Sequence, residues 1–81
     1  MTTGSRAGTP RGFSLRGQDL RNENLKDAFL ADLDLSDTDL RGVDLTGANL
    51  DGAFLLGALY DENTRWPDGF DPNRHGAKLQ R

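Results

Sequence analysis

From Leu15 to Leu55 a leucine stands at every fifth residue: Leu15, Leu20, Leu25, Leu30, Leu35, Leu40, Leu45, Leu50 and Leu55. A period of five fits neither a helix nor a strand, so the five-residue unit must itself be the structural element, as in solenoids built from short stacked motifs. The polar positions keep the same beat. Two residues before the leucine stand Phe13, Gln18, Glu23, Ala28, Leu33, Thr38, Val43, Ala48 and Ala53, and Ala58 holds that place before Tyr60. Immediately before the leucine comes Asp or Asn in most units, with Ser14, Phe29, Phe54 and Leu59 as exceptions. Two residues after it the chain places only Gly, Asn or Asp, from Gly17 and Asn22 through Asp37 to Gly57.

Each preference has its own physical cause. A leucine stabilises by burial, and a small or apolar residue two positions away lies on the same side of an extended segment and leaves it room. Gly, Asn and Asp tolerate the left-handed backbone of a tight corner. Each unit therefore predicts a short extended edge followed by a corner, and four such corners close a square.

The run Ala48-Asn49-Leu50-Asp51-Gly52 resembles the unit of the pentapeptide repeat family: an alanine, an aspartate or asparagine, a leucine and two free positions. The resemblance covers residues 13–60. It implies an all-β fold, a right-handed quadrilateral β-helix of four repeats per coil, here about two and a half coils and on the order of 12 Å tall at the usual strand spacing. Under that geometry Leu15 stacks with Leu35 and Leu55, Leu20 with Leu40 and Tyr60, Leu25 with Leu45, and Leu30 with Leu50. All of these leucines are read as core and none as a site.

Three zones divide the chain. Residues 1–12 form a basic, glycine-containing arm with Arg6 and Arg11, residues 13–60 the β-helix, and residues 61–81 a C-terminal cap and tail. The tail holds the only tryptophan and a turn-forming Pro67-Asp68-Gly69, so Trp66 and Phe70 are expected to fold over the open end of the leucine stack. It is similar to the tail that follows the repeats in bacterial, notably cyanobacterial, members of the family, where it implies a structural role. Phe13, bulky where later repeats narrow, is expected to cap the other end, and the polar Gln18 and Glu23 sit where that end meets water.

Composition narrows the function. With 81 residues and 35% hydrophobic content the chain can build one small core. It has no cysteine, hence no disulfide framework and no thiolate metal site, and no apolar run marks a secretory signal or a membrane span; a cytoplasmic location is expected. The net charge of −3 is unevenly spread: residues 27–71 hold eleven acidic and two basic groups between basic ends. Such a body repels nucleic acid, so direct binding to DNA or RNA is not expected. Stacked Asp19, Arg21, Asp39 and Arg41 predict diagonal ion pairs on one face. The remaining aspartates spread over four faces without calcium-loop spacing, and His75 stands alone in the tail, so neither a metal nor any other cofactor is expected. No nucleophile elbow, phosphate loop or catalytic triad order is present, and the chain is not expected to be an enzyme.

The apolar residues at outward positions carry the functional expectation. Phe29 and Phe54 stand where the repeat favours Asp or Asn, and Leu56 and Leu59 lie outward near the last coil. These residues predict a protein-binding surface, competing with the possibility that the tail covers them. The reading is a non-catalytic protein–protein interaction scaffold, or an accessory subunit of a larger assembly, whose partner is another protein or protein complex. The alternative implied by the resemblance is a DNA-mimicking, topoisomerase-binding protein, which a rod this short with basic ends fits less well.

Overall fold

The computed structural model describes residues 14–81; Phe13 and the 1–12 arm lie outside the described residues. The chain winds as a four-sided β-helix in which each side carries a single parallel bridge to the coil above. On the first face Ser14 pairs with Asp34 and Asp34 with Phe54; on the second, Asp19 with Asp39 and Asp39 with Leu59; on the third, Asn24 with Asp44; on the fourth, Phe29 with Asn49. The register is twenty residues throughout these pairs, as four five-residue edges require.

From Leu15 to Leu40 each repeat leucine N–H donates upward to the carbonyl of the residue preceding the leucine, or Tyr60, of the next coil, as Leu15 does to Asp34 (2.9 Å) and Leu30 to Asn49 (2.8 Å). The residue before the leucine donates downward, as Asn49 does to Ala28 (2.9 Å). The backbone is thereby satisfied between coils rather than within them. Every corner residue has positive φ: Asn22, Asp27, Asp32 and Asp37 in one turn of the helix, and Gly42, Gly47, Gly52 and Gly57 directly above them. The alternation has a steric reason. The carboxamide or carboxylate of each lower corner leans over the glycine above it, and a Cβ on Gly42, Gly47 or Gly52 would come within 2.2 Å of Oδ1 of Asn22, Asp27 or Asp32.

The core is the leucine stack. Leu35, Leu40, Leu45 and Leu55 are fully buried, joined by Val43, Ala58 and Thr38, and each buried leucine contributes about 2 kcal/mol. The Thr38 hydroxyl avoids a desolvation cost by donating to the Leu35 carbonyl at 2.7 Å. Leu15, Leu20 and Leu25 in the first coil are half-buried, while Gln18 and Glu23 are exposed there. The amide and the carboxylate at inward positions thus fall where solvent reaches them, whereas the inward Thr38 is buried with its hydroxyl bonded.

Residues 61–81 keep pairing with the stack in two places. Arg65 bridges to Asp44 on the third face with a register of twenty-one residues, so Trp66 takes the leucine position above Leu45 and Thr64 the inward position before it. The Thr64 hydroxyl donates to the Leu40 carbonyl (2.9 Å). The Asp61 carboxylate receives the Gly42 N–H (3.1 Å) that a backbone carbonyl receives at the corners below. Strand β1 (Leu59–Tyr60) then pairs in parallel with β2 (Lys78–Leu79), Leu59 opposite Lys78. Between these rungs runs a short 3-10 helix, Pro72–His75, entered by Asp71 whose side chain accepts the Asn73 N–H and left at Gly76 with φ of 86°.

Candidate protein-binding surface

The residue before each leucine has a task that its outward position alone does not reveal. Its side chain accepts the N–H two residues on: Ser14 from Arg16, Asp19 from Arg21, Asn24 from Lys26, Asp34 from Ser36, Asp39 from Arg41, Asp44 from Thr46 and Asn49 from Asp51, at 2.9–3.2 Å. These bonds tie the edge to its corner, which is why the repeat selects short oxygen-bearing side chains there. Phe29 and Phe54 cannot make the bond. Their rings are 76% and 60% exposed, and Leu56, on the corner after Phe54, is 70% exposed.

Phe29 and Phe54 occupy adjoining faces, the fourth and the first, with Phe54 one coil higher. The corner between them carries Asp32 and Asp51, neither of which has an ion-pair partner among the described residues. A shallow depression beside Phe54 is lined by Asp34, Ser36, Ala53, Leu56 and His75. Leu59 lies elsewhere: it is half-buried within β1, flanked by Asp39 below and Lys78 above.

Trp66 and Phe70 do not cover these residues; both pack against the core instead. The Trp66 ring meets Tyr60 edge-on at 5.4 Å, stacks on Phe70 at 5.2 Å, and Phe70 stacks on His75 at 4.5 Å. The Tyr60 hydroxyl donates to Asn73 Oδ1 at 2.6 Å and fastens the 3-10 helix to this array. Trp66 Nε1 is buried without a hydrogen-bond partner.

Ion pairs run both within coils and between them. Arg21 pairs with Asp19 (2.9 Å) and Arg41 with Asp39, each guanidinium gripping the carboxylate two residues before it. On this face the expected diagonal contact is present, from Arg21 to Asp39, but at 3.7 Å it is longer than the pairs within each coil. The reason is that the turn already holds residues two apart side by side. The donating guanidiniums hold the Asp19 and Asp39 carboxyls below their usual value; the Ser36 N–H does the same for Asp34, and Thr46, by hydroxyl and N–H, for Asp44. Arg16 reaches Asp37 across the first corner at 3.3 Å. Among the described residues no group of three or more His, Cys, Asp or Glu side chains could hold a metal ion, and no helix is long and apolar enough to cross a membrane.

Comparison with known families agrees with this architecture. The family model described as pentapeptide repeats matches residues 11–47 and 19–57, with eight copies. The chain belongs to the pentapeptide repeat family. Members of this family are non-catalytic structural repeat proteins. Among solved structures, this pentapeptide repeat protein is similar to one from Nostoc Pcc 7120, with 43% identity and a TM-score of 0.82 over 86% of this chain and 58% of that one. It is also similar to one from the cyanobacterium Cyanothece 51142, with 42% identity and a TM-score of 0.64 over 65% of this chain and 36% of that one. The chain thus spans little more than half of the first relative and about a third of the second. The search of curated proteins gave no match.

Proposed function

We propose that this pentapeptide repeat protein is a protein-interaction module that docks a partner protein through Phe29, Phe54 and Leu56. One observation carries the reading. Two of the positions that elsewhere close the turn with a hydrogen bond hold phenylalanine, and both rings face water. A lost turn bond costs about 1 kcal/mol, and an exposed aromatic ring returns little of it by burial within the chain. Aromatic side chains are the type most enriched at the centre of interfaces. The rigid coil beneath holds the two rings in fixed relation, so docking orders little else.

The test is affinity capture from source lysate with the intact chain and with the Phe29→Asn/Phe54→Asn double variant. Asparagine restores the turn acceptor, so the variant keeps its circular dichroism spectrum and melts no lower than the parent. Loss of a specific partner under those conditions supports the reading. An unchanged set of captured proteins overturns it.

A further inference from the structure

The last coil is closed on two faces and open on the other two. On the second and third faces the tail supplies the next rung, through Lys78 above Leu59 and Arg65 above Asp44. On the fourth and first faces it does not. Thirteen residues separate Arg65 from Lys78, where fifteen separate Asp44 from Leu59 in the coil below. The tail is two residues short of the perimeter, and it cuts across the stack through Trp66, Phe70 and the 3-10 helix instead of following the wall.

The consequence is a set of backbone groups without partners. In the coil below, the N–H groups of Leu30, Asp32 and Leu35 donate to Asn49, Asp51 and Phe54, while the carbonyls of Ala28 and Leu33 accept from Asn49 and Phe54. One coil higher, the N–H groups of Leu50, Gly52 and Leu55 and the carbonyls of Ala48 and Ala53 have no partner among the described residues. These groups edge two adjoining depressions, one between Ala48–Gly52 and the Pro67–Phe70 turn, the other beside Ala53 and Leu55, with His75 lining both.

We infer that this open edge is a strand-addition site for a peptide segment of a partner protein, extended alongside residues 48–50 and 53–55 and turning with the wall at the Gly52 corner between them. The spacing defines two sockets. In each, one peptide residue donates its N–H to the Ala48 or Ala53 carbonyl and accepts from the Leu50 or Leu55 N–H, which is the pattern of every bridge in the helix below. Backbone pairing of this kind supplies affinity, and side chains select the occupant. Asp51 and Asp68, on opposite sides of the first depression and without ion-pair partners among the described residues, select lysine or arginine beside the bonded residues. The inference rests on the reading of the chain as a protein-binding module, but not on its exposed phenylalanines.

The test uses the full chain labelled with nitrogen-15 and the capped peptide acetyl-Lys-Val-Thr-Asn-Gly-Thr-Val-Lys-amide, whose two valines stand five residues apart, one for each socket, with Asn-Gly at the corner between them. In the free protein the amides of Leu50, Gly52 and Leu55 exchange with solvent faster than those of Leu30, Asp32 and Leu35. Peptide at about ten times its Kd slows their exchange about elevenfold and shifts their resonances, while the same peptide with N-methyl groups at its valines does neither. Equal protection of the two sets in the free chain would overturn the inference, as would a Leu50, Gly52 and Leu55 set that ignores the peptide at millimolar concentration. Shifts confined to the surroundings of Phe29, with Leu50, Gly52 and Leu55 unmoved, would overturn it too, while leaving the docking role of the phenylalanines standing.

Discussion

Alanine at Gly47 combines two costs that alanine at Gly17 separates. Both glycines have positive φ, +73° and +76°, and a Cβ in the left-handed region costs about 1–2 kcal/mol. At Gly17 nothing lies within 4 Å of the added carbon, whereas at Gly47 it comes within 2.2 Å of Asp27 Oδ1. The Asp27 side chain must swing off its preferred rotamer, which adds about 0.5–1.5 kcal/mol. For a domain of this size about 1 kcal/mol moves the melting temperature by about 4–8 °C, so Gly47→Ala melts below Gly17→Ala by about that interval. Asp27→Gly removes the obstructing oxygen, and the double variant Gly47→Ala/Asp27→Gly recovers the second cost, a coupling of about 1 kcal/mol. Thermal and urea melts of the singles and the double measure it. Because Gly17 lies near the end of the stack, Gly42→Ala with Asn22→Gly repeats the cycle at a corner covered from above by Asp61, where the same 2.2 Å approach occurs. Equal losses at Gly17 and Gly47, or no coupling in either cycle, would refute the stacking of glycine corners over aspartate and asparagine corners.

Other outcomes follow from the same contacts. Phe29→Asn gains a turn hydrogen bond of about 1 kcal/mol and gives up the small buried part of a largely exposed ring, so its melting temperature rises by a few degrees in a calorimetric scan. Asp19, Asp34, Asp39 and Asp44 have carboxyl pKa values below those of the unfolded chain, so their contribution is present above the ordinary value of about 3.9 and is lost as pH falls through the folded-state values. Melting temperature measured against pH is therefore level near neutrality and falls below about pH 4; a fall that begins at neutral pH would contradict this. Tyr60→Phe leaves Asn73 without its donor and lowers stability by about 1 kcal/mol, with the loss of protection concentrated at Gly76 and Ala77 in hydrogen exchange.

The leucine period and the corner residues made the coil legible before any coordinates, because burial and positive φ each leave a one-residue signature that recurs nine times. The residue before the leucine was legible as outward but not as a turn acceptor, since its bond runs to a backbone N–H that the sequence does not display. That acceptor role is also what gives Phe29 and Phe54 their significance. The Arg65 rung was hidden for a different reason: one extra residue between Tyr60 and Trp66 moves it off the twenty-residue register, and Thr64 stands inward in place of an alanine. Leu59 read as exposed because its position is outward, whereas the pairing with Lys78 that shelters it comes from nineteen residues on.

Photoreactive p-benzoylphenylalanine placed singly at Phe29, at Phe54 and at Thr46 on another part of the wall tests the docking surface most directly. Irradiation in source lysate is expected to give one common crosslinked partner from positions 29 and 54 and none from position 46. The same product from all three positions, or no product from the two phenylalanine sites, would contradict the account.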